Sequence, residues 1–207
     1  MFLLLLGSCS DSGEKPLSSD SEIKQPFSKE KTDTELARFD SIEWTDLMPK
    51  DDMDALLNPP TYITDIQDGS LEDMIGSQLQ NLSDTTDDRY QQALVSTRIM
   101  PEMNGKSIRL PGYIVPIEHN DNKSITSFFL VPFFGACIHL PPPPPNQIIY
   151  VNYPKGFDLE SIYEPHWVYG DLKTSLKENE MATSAYAMDM HHYEIYIETY
   201  TEPSITD

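Results

Sequence analysis

Five consecutive prolines, Pro141–Pro145, lie between two segments rich in β-branched and aromatic residues, and they restrict the fold more than any other feature. Proline lacks a backbone N–H and has a fixed φ, so this run cannot pair within a sheet and follows a rigid, extended path. We interpret it as an internal loop that fixes the direction of its neighbours. A polyproline ligand for an aromatic groove on a partner is the alternative interpretation.

Cys137 and His139 precede the prolines and are two residues apart. Residues i and i+2 of an extended strand point to the same face, so the thiol and the imidazole are expected to converge. Thiolate and imidazole are ligands that zinc and copper prefer. The segment therefore predicts a metal-binding or reactive pair beside a stiff loop made of Pro141, Pro142, Pro143, Pro144, Pro145, Asn146 and Gln147.

A zinc site needs further ligands, because zinc takes four protein ligands in structural sites and three in catalytic ones. His166 and His191 are the candidates for the third ligand, with Asp189 and His192 close to the latter in sequence. Successive residues of a strand point to opposite faces, so we expect His191 to face inward with Tyr193 and His192 to face outward.

Two other interpretations of the cysteine–histidine pair stay open. Cys137 could be a nucleophile with His139 as its base, which would make the protein a cysteine-dependent enzyme. Alternatively, Cys137 is a small buried hydrophobic residue and His139 a hydrogen-bonded loop residue. The sequence contains no nucleophile elbow, Gly-rich phosphate loop or His-Glu-x-x-His motif, so we expect a non-enzymatic role.

The N-terminus predicts an envelope lipoprotein. An apolar run, Phe2–Leu6, leads into Gly7-Ser8-Cys9, which resembles the lipobox of bacterial lipoproteins. In such proteins the cysteine is lipidated and becomes the first mature residue, so residues 1–9 are interpreted as a signal remnant and Cys9 as the lipidation site. Ser10, in place of Asp, resembles the pattern for sorting to the outer membrane. We therefore expect a domain that is lipid-anchored and faces the periplasm.

The formal net charge is -20 at pH 7, from 14 basic and 34 acidic residues. Binding to nucleic acid requires basic side chains that displace counterions from phosphates, and binding to anionic lipid surfaces requires the same charge. We therefore expect no nucleic-acid partner, and we expect contact with the membrane through the lipid anchor alone.

The chain after the signal divides by composition. Residues 10–37 are rich in Ser, Asp, Glu, Lys and Thr and predict a disordered tether. Residues 38–102 predict a helical or irregular appendage, because apolar residues recur there at helical spacing. The helices in this appendage are predicted at 51–57, 71–82 and 87–98.

Residues 103–200 show the alternation of strands, and a tail follows at 201–207. Asn120–Lys123 is predicted to form the turn of the first hairpin, and Pro111–Gly112 a bulge in its first strand. This pattern predicts a mainly β (α+β) fold, namely a small antiparallel OB-like barrel with an N-terminal helical appendage. The predicted strands are 108–117, 125–134, 147–153, 166–174, 183–188 and 191–199.

Several of these segments resemble an uncharacterised family of bacterial envelope lipoproteins, domain-of-unknown-function family 3299. The resemblance covers residues 40–200 and depends most on the Cys-x-His, proline-run and Asn-Gln signature. The matching segments are Trp44-Thr-Asp-Leu-Met-Pro49, Arg109-Leu-Pro-Gly-Tyr-Ile-Val-Pro116, Phe128–Gln147, Val168-Tyr-Gly-Asp-Leu172 and Ala185-Tyr186.

The resemblance implies a periplasmic accessory protein without an established activity, of a kind found with ABC-transporter components in settings that suggest zinc supply. We therefore expect an accessory or binding module, in divalent-metal handling, with Cys137, His139 and either His166 or His191 as zinc ligands. The alternatives are a cysteine-dependent envelope enzyme and a scaffold that docks proteins through the proline loop.

Overall fold

The computed structural model describes residues 33–60, 88–136 and 142–197. The predicted helix at 51–57 is confirmed, and the one predicted at 87–98 is shorter, because it ends at Leu94. Beyond its end, the Ser96 hydroxyl donates to Asp52 Oδ2 over 2.6 Å. The helix predicted at 71–82 lies outside the described residues. The helices are α1 (Asp33–Leu36), α2 (Lys50–Leu57) and α3 (Arg89–Leu94), with 3₁₀ helices at Trp44–Leu47, Pro101–Met103 and Pro145–Gln147.

Eight strands are described, and five of them, β2, β3, β4, β8 and β5 in that order, close into a barrel through pairing of β5 with β2. This confirms the predicted small barrel, although the pair β4 and β8 is parallel, so the barrel is mixed. The strands are β1 (Asp40–Ser41), β2 (Ser107–His119), β3 (Ile125–Val131), β4 (Ile149–Phe157), β5 (His166–Lys173), β6 (Lys177–Glu178), β7 (Thr183–Ser184) and β8 (Tyr186–Ile195).

The first hairpin forms as predicted, with Asn120–Lys123 as its turn. The Asn120 side-chain oxygen accepts the N–H groups of Asn122 and Ser124, both over 3.0 Å. The prediction of a bulge at Pro111–Gly112 is wrong, because the register shifts of β2 lie between Pro116 and His119. Gly112 instead allows β2 to approach β3 closely, since a Cβ there would lie 2.8 Å from a backbone oxygen of β3.

Residues before the barrel contribute to its core. Ile42, Leu47 and Met103 are buried in the same cluster as the inward residues of the strands. Each such side chain contributes about 1.5–3 kcal/mol on burial. The Tyr186 hydroxyl joins the two parts directly, because it accepts the Met100 N–H (2.7 Å) and donates to Leu47 O (2.9 Å).

The predicted tether at 10–37 lies mostly outside the described residues, and its last residues include the single helical turn α1. In the described part of the chain, no helix has both the length and the apolar character needed to cross a membrane.

Candidate functional site

The connection between β3 and β4, residues 132–148, carries the cysteine, histidine and proline signature. Cys137, His139 and Pro141 lie outside the described residues, so the convergence of thiol and imidazole stays a prediction. The flanks are described: Ala136 is fully buried on one side. On the other, the chain returns through Pro142 to the 3₁₀ helix Pro145–Gln147.

The returning end of the connection is fixed by hydrogen bonds to distant parts of the chain. Asn146 is fully buried, and its side-chain amide donates to Arg98 O over 3.2 Å. The Gln147 amide donates to Trp44 O over 2.9 Å, and Pro145 O accepts the Ala185 N–H over 2.7 Å. The Asn-Gln pair of the signature therefore holds the loop to the appendage, and Pro145 holds it to Ala185, the residue before β8.

Asp52 of α2 is the buried carboxylate of this region, with 0% of its surface exposed. A buried charge is tolerated only when it is paired and hydrogen-bonded. Its Oδ1 pairs with the guanidinium groups of Arg89 and Arg98, and its Oδ2 accepts the Ser96 hydroxyl and, over 3.4 Å, the Asn146 amide. Asp52 thus connects α2 and α3 to the end of the proline loop.

Asp51 completes this ion-pair cluster at the surface. Its carboxylate lies 2.5 Å from the Arg98 guanidinium and 2.9 Å from that of Arg89. The hydrogen bond from Arg98, with that from Arg89, lowers the pKa of Asp51 from 3.8 to about 2. Sequence reasoning missed this cluster, because two adjacent aspartates in the first turn of a helix are equally expected from the helix dipole alone.

His166, a predicted zinc ligand, begins β5 and is 5% exposed. It pairs with Gly112, and the next residue of β2, Tyr113, pairs with Val131, so His166 lies at the barrel end where the β3–β4 connection starts. Burial lowers the pKa of His166. Its Nδ1 lies 2.9 Å from Glu164 O, so Nδ1 is the protonated nitrogen and Nε2 carries the lone pair that a metal would take.

His191, the other predicted third ligand, does not face inward with Tyr193, so that prediction is wrong. The register of β5 and β8 shifts between Tyr169 and Gly170, and this bulge turns His191 to the outer face of the barrel. There its Nε2 lies 2.8 Å from an Asp171 carboxylate oxygen. Tyr193 instead packs against the core.

The structure does not bring His166 and His191 together. His166 pairs with Ile195, four residues further along β8 than His191, which corresponds to roughly 13 Å along a strand. Within the described residues, no group of three or more His, Cys, Asp or Glu side chains is arranged to hold a metal ion. Of the two histidines, His166 is the one that lies at the barrel end where the β3–β4 connection starts.

Exposed aromatic residues border the same connection. The ring centroids of Phe134 and Tyr163 lie 5.0 Å apart, and those of Tyr113 and Phe134 lie 6.0 Å apart. Sequence reasoning assigned Phe133 and Phe134 to a strand, but β3 ends at Val131, where Pro132 cannot continue the ladder. Below them, a second cluster packs on the outside of the barrel; its buried members are Phe129, Val131, Ala136 and Ile148.

A small closed barrel with a buried polar anchor for one long connection is thus the architecture of this chain. The chain belongs to the family described as protein of unknown function (DUF3299), whose family model matches residues 44–195. This confirms the resemblance to domain-of-unknown-function family 3299. The match includes the barrel, helix α2 and the whole β3–β4 connection.

The crystal structure of a DUF3299 family protein from Pseudomonas aeruginosa PAO1 is similar to this chain. The two share 30% sequence identity, with a TM-score of 0.56, over 78% of this chain and 98% of that chain. No curated protein matches the chain.

Proposed function

We propose that this protein is a periplasm-facing lipoprotein of the cell envelope that acts as an accessory binding module. Its binding element is the β3–β4 connection. The observation that carries this proposal is the fixation of that connection: Ala136 is buried at one end, and buried Asn146 is held by Arg98 and Asp52 at the other. Holding both described ends of the connection on the folded protein lowers the ordering cost of binding between them.

Features of the sequence support the proposed place of action. The lipobox-like segment ending at Cys9 supports anchoring to the outer membrane, with residues 10–37 as the tether. The family resemblance supports work beside an ABC transporter. The net charge of -20 supports a role near cations rather than near nucleic acid.

We infer that the ligand of the connection is a divalent metal, with zinc as the first candidate. Cys137 and His139 supply two ligands, and His166 supplies the third, because it shares their end of the barrel and its Nε2 is the nitrogen left for a metal. We leave His191 out of this set, because it lies on the outer face with its Nε2 2.8 Å from an Asp171 carboxylate oxygen.

Zinc titration of the melting temperature tests this proposal. Because a ligand that binds only the folded state adds about 2.7 kcal/mol of stability at one hundred times its Kd, zinc should raise the melting temperature of the wild type by several degrees. Cys137→Ser and His166→Gln should abolish the rise, and His191→Gln should keep it. Each variant is compared with its own zinc-free sample, so a change in fold stability does not disturb the readout.

An unchanged melting curve of the wild type, or a rise that depends on His191 rather than His166, would contradict the metal site. The cysteine-enzyme alternative is tested on the same protein with iodoacetamide. A binding role predicts ordinary reactivity of Cys137, whereas a nucleophile reacts far faster than a free thiol at neutral pH.

A further inference from the structure

Four exposed apolar residues lie at the barrel end that carries the connection, and we call them the aromatic patch: Phe133, Phe134, Ile162 and Tyr163. Phe134 is 42% exposed and Tyr163 is 69% exposed, although their rings are in contact. Most large apolar side chains on a surface occur singly, whereas grouped ones with a polar rim mark interaction sites.

The aromatic patch has a rigid base. Tyr113 lies under Phe134, and Phe129 and Val131 of β3 are fully buried on the same outer face of the barrel. Aromatic side chains on such a base lose little conformational entropy when a partner covers them, which is why they are enriched at protein interfaces.

The chain segment that carries Ile162 and Tyr163 forms one side of the rim of the aromatic patch, and it is acidic. The segment 158–165 contains Asp158, Glu160 and Glu164, all exposed, and no Lys or Arg. The other segment, residues 132–136, contains no charged residue at all. A partner that buries the rings therefore meets negative charge around them, and Lys or Arg side chains would complement it.

The same charge disfavours two other occupants. Residues 61–87 of this chain contain six acidic and no basic residues, so they would be repelled by the rim. An anionic lipid surface would be repelled for the same reason. A polypeptide with a basic surface is the occupant that the charge favours.

We propose that the aromatic patch is the docking surface for a protein partner that presents an apolar or aromatic side chain flanked by Lys or Arg. This inference rests on the proposed accessory role and names the chemistry of the partner. The patch includes Phe133 and Phe134 of the β3–β4 connection, so a docked partner would contact the chain segment that leads to Cys137.

The test is a selection from a phage-displayed library of random peptides against the full chain in detergent. Enriched peptides should combine a large apolar residue with Lys or Arg. Their affinity should fall about tenfold or more for Phe134→Ser/Tyr163→Ser, because interface energy concentrates in such rings. Val95→Ser/Leu176→Ser, which removes two exposed apolar residues elsewhere, should leave it unchanged.

The charge requirement is tested in parallel. Glu160→Lys/Glu164→Lys should abolish binding of the selected peptides, and the matched exposed pair Glu178→Lys/Glu180→Lys should not. Absence of enrichment, peptides without basic residues, or binding that survives Phe134→Ser/Tyr163→Ser would overturn the proposal. Patch-dependent binding to phosphatidylcholine vesicles would overturn it in favour of a lipid surface.

The two proposals fail separately. Cys137→Ser should remove the response to zinc and leave peptide binding intact. A negative zinc titration with patch-dependent peptide binding refutes the metal site alone, and the reverse result refutes the docking surface alone.

Discussion

At the scale of single residues, buried polar side chains connect distant parts of the chain. Tyr186 carries one hydroxyl that serves Met100 and Leu47 at once, and Asn146 carries one amide that serves Arg98 and Asp52. Each of these groups is buried, so a change that leaves its partners unsatisfied costs about 1–3 kcal/mol per group. Gly170 also depends on a distant part of the chain, but through close packing against β8 and not through a side-chain hydrogen bond.

Gly170→Ala should destabilise the protein by about 1–3 kcal/mol, the usual cost of overpacking. A Cβ at this position would lie 2.6 Å from the backbone oxygen of Asp189 and closer still to Met188 Cγ, both in β8. Urea unfolding monitored by far-UV circular dichroism measures the loss.

Gly105→Ala is the matched control for this prediction. A Cβ there would meet nothing within 4 Å, but φ is +81°, so the cost is backbone strain of about 1 kcal/mol. If Gly170→Ala lowers the free energy of unfolding no more than Gly105→Ala does, then β8 moves away easily and is not tightly packed against Gly170.

At the scale of elements, ion pairs join two short helices. Helices α2 and α3 have only eight and six residues, and isolated helices of this length are unstable in water. Arg89 joins them by pairing with both Asp51 and Asp52 of α2. The same cluster reaches Asn146, so the packing of the helices and the position of the proline loop are coupled.

The contribution of Asp51 should depend on pH. Its folded pKa of about 2 lies below the ordinary 3.8, so the ionised form is favoured by folding. That stabilisation is fully present above pH 3.8 and is lost as the pH falls towards 2. The difference in urea midpoint between the wild type and Asp51→Asn should therefore shrink between pH 5 and pH 2, and exposure of the pair keeps it small.

Asp54→Asn provides the comparison, because it removes a charge from the same helix without touching the arginine cluster. The difference in urea midpoint between Asp54→Asn and the wild type should vary less over this pH range. Equal behaviour of the two variants would mean that the Asp51 ion pairs contribute nothing specific to the packing of α2 against α3.

At the scale of the whole molecule, the appendage and the barrel form one core. Ile42 and Leu47 are buried with the inward residues of the barrel, and Trp44 Nε1 donates to Pro111 O of β2 over 2.8 Å. A barrel closed by pairing of β2 with β5 also has no free barrel edge among its five strands. We expect the parts to unfold together.

Two probes test this cooperativity. Trp167→Phe leaves Trp44 as the only tryptophan, so its fluorescence reports on the appendage, while far-UV circular dichroism reports mainly on the barrel. The two urea transitions should have the same midpoint, as in two-state unfolding. An earlier transition of Trp44 fluorescence would show that the appendage unfolds as a separate unit.

The sequence alone determined the local structure: the first hairpin with its Asn120 turn, helix α2, and the separation of two strands by the proline run. It could do so because strand periodicity, helix periodicity and the geometry of proline depend on residues close together in the chain. The same local signals indicated a small barrel, and the signature around Cys137 indicated the family.

Only the tertiary structure decided the parallel pairing of β4 with β8, the burial of Asp52 beside Asn146, and the outward position of His191. Each depends on which distant segments meet when the barrel closes. A single bulge in β8 reverses the face of every residue beyond it, and nothing in the local alternation around His191 reports such a shift.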